Sequence, residues 1–161
     1  MWPSIALLSF VTLQRLVELP IARRNTRRLI ASGAYEVAPG HYPAIVALHV
    51  AWLATLWLLA VGRPVDPLFL LLFALIEIGR FWVLTTLGPR WTTRIIVVPR
   101  AALVQRGPYR ILNHPNYWVV AGEIAVLPLV FGLVEVALAF TVLNAMALTV
   151  RIRAENRALG R

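Results

Sequence analysis

Hydrophobic residues fill this chain in five long blocks, separated by segments in which arginine, proline, glycine and tyrosine collect. A helix needs about 20 mainly apolar residues to cross the hydrocarbon layer of a bilayer, and five stretches qualify once tilt and short ends are allowed. They run roughly from Trp2 to Ile21, Pro43 to Val61, Pro67 to Leu87, Asn116 to Leu133 and Val134 to Val150. The pattern predicts an all-α integral membrane protein of about five spans, in a single domain over 1–161, with the last two spans forming a helical hairpin. Gly62-Arg63-Pro64-Val65-Asp66 reads as a turn and Phe131-Gly132-Leu133 as a tight reversal. On the other face three longer polar segments converge: Arg23 to Tyr42, Gly88 to His114, and a tail over 151–161 that reads as a short amphipathic helix. Within the second of these, Trp91-Thr92-Thr93-Arg94-Ile95-Ile96-Val97-Val98 predicts a short strand or hairpin stopped by Pro99.

Composition agrees with the pattern: 60% of the residues are hydrophobic and 14% charged, a balance that makes lipid the main solvent. The first span has no basic segment before its apolar run and no small-residue cleavage site after it, which predicts that it is retained. Cysteine is absent, so no disulfide framework, thiolate nucleophile or thiolate metal site is available. With three histidines and seven acids, no metal centre is expected.

The net charge of +9 comes from sixteen basic residues, all of them arginine. Such a charge fits nucleic acid until the positions are considered. Arg23, Arg24, Arg27 and Arg28 lie in the first loop, Arg90, Arg94, Arg100, Arg106 and Arg110 in the third, and Arg151, Arg153, Arg157 and Arg161 in the tail, whereas the second loop holds only Arg63 and the fourth none. This alternation follows the positive-inside rule, with the N-terminus outside and the C-terminus in the cytoplasm. Anionic lipid headgroups are then the counter-charge, and no nucleic-acid partner is expected.

One polar run stands out between the apolar blocks: Gly107-Pro108-Tyr109-Arg110-Ile111-Leu112-Asn113-His114-Pro115-Asn116-Tyr117. Gly107-Pro108 breaks the preceding segment. Pro115 suits the first turn of a helix, where its missing N–H is not needed, so His114 sits near the N-cap. Free amides and the positive end of the helix dipole favour an anionic group there, such as a carboxylate. Tyr109 and Tyr117 flank that point with flat surfaces and hydroxyls suited to a purine ring or a cation. The plainer alternative is a loop punctuated by proline beside an aromatic belt, the role that Trp52, Trp57, Trp82 and Trp118 fit.

Together with the apolar hairpin after it and Arg151-Ile152-Arg153-Ala154-Glu155-Asn156-Arg157-Ala158-Leu159, this run resembles the isoprenylcysteine carboxyl methyltransferase family. The family pattern runs Gly-x-Tyr-Arg, Arg-His-Pro-x-Tyr and, after two closely joined spans, Glu-Glu-x-x-Leu. The resemblance covers the chain from Gln105 onward. Asn113 replaces the usual arginine before the histidine and Asn156 the second glutamate; both keep hydrogen-bonding capacity and lose a charge. The upstream spans and Arg90-Trp91-Thr92-Thr93 look more like the bacterial branch, some members of which are thought to methylate polyketide-derived lipids such as alkylpyrones.

The resemblance implies transfer of a methyl group from S-adenosylmethionine to an oxygen (carboxylate, enol or hydroxyl) of a lipophilic acceptor that enters from the bilayer. By position it carries Tyr109, Arg110, His114, Pro115, Tyr117 and Glu155 over to cofactor binding. Glu155 can take the donor's ammonium or ribose hydroxyls, or else form a solvated salt bridge with Arg151 four residues earlier. His114 is the nearest base for an alcohol or phenol, and Arg151 or Arg153 can orient an anionic acceptor. Ionisable groups inside spans invite the same scrutiny. Arg15 with Glu18, and Glu77 with Arg80, have the spacing to pair on one helix face. Glu123 and Asn144, on the two arms of the hairpin, line a cofactor cavity or else bond between helices. His49 reads as a satisfied interior histidine. A non-catalytic scaffold or lipid-binding subunit of the same fold is the alternative; a small transporter would carry inverted repeats, which are absent.

Overall fold

A computed structural model describes residues 2–160 and is helical apart from one pair of two-residue strands. Helices α1 (Trp2–Ala31), α2 (Tyr42–Leu59), α3 (Pro67–Leu87), α4 (Pro115–Val130) and α5 (Val134–Leu159) follow in chain order. Strand β1 (Tyr35–Glu36) lies after α1, and β2 (Ile96–Val97) lies in the long connection between α3 and α4. Local chemistry sets the helix starts. The Asp66 carboxylate caps α3 by accepting the amides of Leu68 at 2.8 Å and Phe69 at 3.1 Å, and Pro67 fills the first position.

Four helices, α1, α2, α3 and α5, are long and apolar enough to cross a bilayer. With 16 residues α4 is apolar but shorter, rising about 24 Å. The span predicted to reach Leu133 therefore ends at Val130. A glycine C-cap makes the stop: the Pro128 carbonyl accepts the amides of Phe131 and Leu133, the Leu129 carbonyl accepts that of Gly132, and Gly132 takes a φ of 67° to turn the chain into α5.

Two further expectations are corrected, and a third is met in one of its two forms, a short strand. Helix α1 continues past Ile21 to Ala31, because arginine, leucine and alanine keep it helical, so Arg23 to Arg28 are helical and not loop. The tail is no separate helix: α5 runs unbroken from Val134 to Leu159, and Arg161 lies outside the described residues. Instead of folding on itself, the β-branched segment pairs antiparallel with the first loop, Tyr35 opposite Val97 and Glu36 opposite Ile96. The bridge ties two of the three converging segments together.

Leu8 and Val11 of α1, Trp52 and Leu56 of α2, Phe73 of α3, and Ile124, Leu127 and Val130 of α4 make a buried apolar core. The outer surface is apolar too: Leu71, Leu75, Ile78 and Trp82 on α3 and Leu138, Val142, Met146 and Val150 on α5 are exposed at helical spacing. Such stripes have no stable place in water, and they fit an integral membrane protein. Close packing of α3 on α4 needs Gly122, where a Cβ would come within 3.0 Å of Ile76.

Inside this apolar frame sits a compact set of charges. Arg80 donates to Glu18 through Nε, at 2.6 Å, and through Nη2, and to Glu123 through Nη1 at 2.7 and 2.9 Å. Arg15 completes the set, with Nη2 at 2.5 Å from Glu123 and Nη1 at 3.3 Å from Glu18. Two cations and two anions from α1, α3 and α4 thus balance one another away from water. Glu77, expected to pair with Arg80, accepts from Gln14 Nε2 at 2.5 Å instead.

Candidate active site

The short connections gather at one end of the bundle, where the Gly62 amide donates to Ser4 Oγ at 3.1 Å and the Asp66 amide to the Val130 carbonyl at 2.8 Å. The long connections and the C-terminal turns of α5 meet at the other end. There Asn25 Nδ2, on α1, donates to the carbonyls of Gly88 at 3.2 Å and Trp91 at 2.9 Å, anchoring the loop after α3. Gly107 starts the turn before α4 with a φ of 55°, and a Cβ there would stand 2.5 Å from Thr86 Oγ1. Only glycine fits both the space and the backbone.

A cavity of about 550 Å³ opens at this end, within the range of small-molecule sites. Its lining includes Tyr109, Arg110, His114, Tyr117, Arg151 and Glu155. At its centre Tyr117 donates its hydroxyl to Glu155 Oε2 at 2.6 Å, and His114 Nδ1 lies 3.5 Å from the same oxygen. The rings of His114 and Tyr117 stack with centroids 5.4 Å apart and an interplanar angle of 15°. The Arg151 guanidinium stands 5.3 Å from the Tyr117 ring centre and donates from Nη1 to the Thr93 carbonyl at 3.0 Å. Because Arg151 is used there, the alternative Arg151–Glu155 helix pair does not form. Burial, with Glu155 nearby, pushes the Tyr109 hydroxyl above the ordinary phenol range, so it stays protonated.

Pro115 is buried in the first turn of α4, as its residue type requires. The His114 side chain does not cap that helix; its carbonyl instead accepts the amides of Tyr117 at 3.0 Å and Trp118 at 3.3 Å. Glu123 is absent from this cavity, since its carboxylate is committed to Arg15 and Arg80 deeper in the bundle. Asn144 is absent from it as well. It lines a second cavity of about 210 Å³, bounded by α1, α2, α4 and α5 and largely apolar, with Ile45, Leu53, Val120 and Leu148 in its walls. Trp91, Thr92, Asn116, Tyr117 and Arg151 line both cavities, whereas His114 and Glu155 line the first alone.

Sequence reasoning passed over Thr93 and Asn116. Thr93 joins three segments: its carbonyl holds Arg151, and its Oγ1 lies 3.1 Å from the Tyr42 hydroxyl. Both stand in polar, aromatic-rich runs at span ends, which was the available signal.

Comparison with known proteins decides the family. The model of the isoprenylcysteine carboxyl methyltransferase (ICMT) family matches residues 68–161, which hold most of the first cavity's lining. The chain belongs to this family. Family members are methyltransferases, and with its apolar helices the chain is a membrane methyltransferase. It is also 37% identical over 158 residues to the uncharacterized protein YpbQ of Bacillus subtilis (strain 168), across 95% of this chain and 94% of that one. No solved structure matches the chain.

Proposed function

We propose that this ICMT-family protein moves a methyl group from S-adenosylmethionine to an oxygen of a lipophilic acceptor resident in the membrane. The observation that carries the reading is the shared wall: a larger polar cavity and a smaller apolar one meet at Trp91, Thr92, Asn116, Tyr117 and Arg151. A water-soluble donor and a lipid-soluble acceptor need two such chambers. The donor set suits S-adenosylmethionine. Glu155 offers a carboxylate to an ammonium or to ribose hydroxyls, Arg110 lines the cavity with no ion pair of its own among the described residues, and Tyr109 with the His114–Tyr117 stack offers flat surface to a purine.

Bound there, S-adenosylmethionine supplies a methyl group activated by a sulfonium. The protein's task is orientation and dryness, because charge is lost when a sulfonium meets an electron-rich oxygen. Tyr117 and His114 fix the Glu155 carboxylate. Arg151, buried and held by Thr93, faces both chambers and can orient an anionic acceptor oxygen such as a carboxylate or enolate. Such an acceptor needs no general base. The donor cavity faces the cytoplasm in this reading, in keeping with the arginines around it.

Equilibrium binding of S-adenosylmethionine to the purified protein in detergent tests the reading. Glu155→Ala and His114→Ala are each expected to weaken binding, Glu155→Ala by about tenfold or more because a hydrogen bond to a charged group is lost. Membranes given labelled S-adenosylmethionine should yield a labelled lipid-soluble product. Absence of binding by the unaltered protein would leave the scaffold alternative.

A further inference from the structure

Two polar side chains deep in the second, largely apolar cavity have hydrogen-bonding groups that the protein itself does not use. Thr93 sets the depth scale, since it is joined to Tyr42 of α2 and to Arg151 of α5. From that level both helices run into the bundle. His49 lies seven residues beyond Tyr42 and Asn144 seven residues before Arg151, so each is two turns, about 10 Å, deeper on the same helix face. Both line the cavity.

Asn144 is 3% exposed, and among the described residues its amide makes no hydrogen bond. An amide that faces a largely apolar cavity and has no protein partner is left for water or a ligand hydroxyl to satisfy. The His49 Nδ1 lies 2.8 Å from the Ile45 carbonyl. A carbonyl can only accept, so Nδ1 carries the proton and Nε2 of the neutral ring is left as an acceptor. The charges that share this end of the cavity are already ion-paired: Arg15 and Arg80 with Glu18 and Glu123, although Arg15 Nε makes no hydrogen bond among the described residues. Among the described residues no unpaired cation is left at this depth to select an anion, the unpaired Arg151 standing at the wall shared with the first cavity.

We infer that His49 and Asn144 form a second polar subsite of the acceptor cavity, built for a neutral hydroxyl that donates to His49 Nε2 and accepts from Asn144 Nδ2. The inference rests on reading the second cavity as the acceptor's. It narrows the acceptor to a lipophilic molecule with two oxygen functions, one at the Tyr117–Arg151 wall and a neutral hydroxyl about 10 Å deeper. Ile45, Val120 and Leu148 pack its apolar middle.

A matched pair of probes tests this without turnover. Binding of 4,4′-dihydroxybiphenyl and of 4-hydroxybiphenyl to the full-length protein in detergent is measured by titration calorimetry, with S-adenosylmethionine affinity measured in parallel. The diol is expected to bind about fivefold tighter than the mono-ol, the worth of one neutral hydrogen bond. Asn144→Leu and His49→Phe should each bring that ratio close to one while leaving S-adenosylmethionine affinity unchanged. Asn144→Ala serves if leucine does not fit. Equal binding of the two probes by the unaltered protein, or binding of neither, overturns the subsite, and so does a preference that survives both substitutions. A diol preference without any binding of S-adenosylmethionine would remove the methyl-donor reading and leave the subsite standing.

Discussion

Tyr117 is the residue on which most of the candidate site converges. Its ring stacks on His114 and lies under Arg151, its hydroxyl holds Glu155, and it lines both cavities. Tyr117→Phe removes the hydroxyl and keeps the ring. S-adenosylmethionine affinity is therefore expected to fall by several-fold through Glu155, with the melting temperature in detergent nearly unchanged. Gly107→Ala should behave in the opposite way, costing more than about 1 kcal/mol of stability because φ is 55° there and Thr86 occupies the space; thermal unfolding reads this directly. Residue type and order in the sequence gave His114, Tyr117 and Glu155 their candidate roles. They did not reveal which partner each side chain chooses. Arg151 has Glu155 one turn away and takes the Thr93 carbonyl, because tertiary approach of the loop outweighs the few tenths of a kcal/mol of an exposed helix pair.

Apolar length made the helices legible, and their ends less so. The sequence rule for span length is a rule about lipid, and the C-cap at Gly132 ends α4 by its backbone chemistry whatever the hydropathy of Leu129 to Leu133. Likewise Arg23 to Arg28 are polar enough to read as loop, yet polarity does not break a helix. Charges within spans were visible as suspects, but only packing shows that Glu123 is paired with Arg80 and Arg15 and lines neither cavity. That cluster staples three helices. Arg80→Met should leave Glu18 and Glu123 with one cation, Arg15, between them, and the expected loss is about 3–5 kcal/mol, the cost of breaking a buried pair from one side. Denaturation in mixed detergent checks it; the companion Glu123→Gln keeps the shape, removes one charge, and should also destabilise.

At the scale of the whole molecule, the distribution of arginine predicts an orientation. The connections tied together by Ser4, Gly62, Asp66 and Val130 hold only Arg63 among the arginines, while Arg90, Arg94, Arg110 and Arg151 line the larger cavity at the opposite end. Translocating that many guanidinium groups against the membrane potential is unfavourable, so the arginine-rich end is expected to stay in the cytoplasm. The chain has no cysteine, which makes a single introduced thiol an unambiguous reporter. Arg63 and Arg157 are both exposed, at opposite ends of the bundle. In intact cells a membrane-impermeant maleimide should label Arg63→Cys, and should label Arg157→Cys only after permeabilisation. The reverse pattern would put the donor cavity outside the cell, away from any cytoplasmic supply of S-adenosylmethionine. The proposed reaction depends on this orientation as much as on the contacts of Glu155, because a donor cavity on the wrong side of the bilayer would have nothing to transfer.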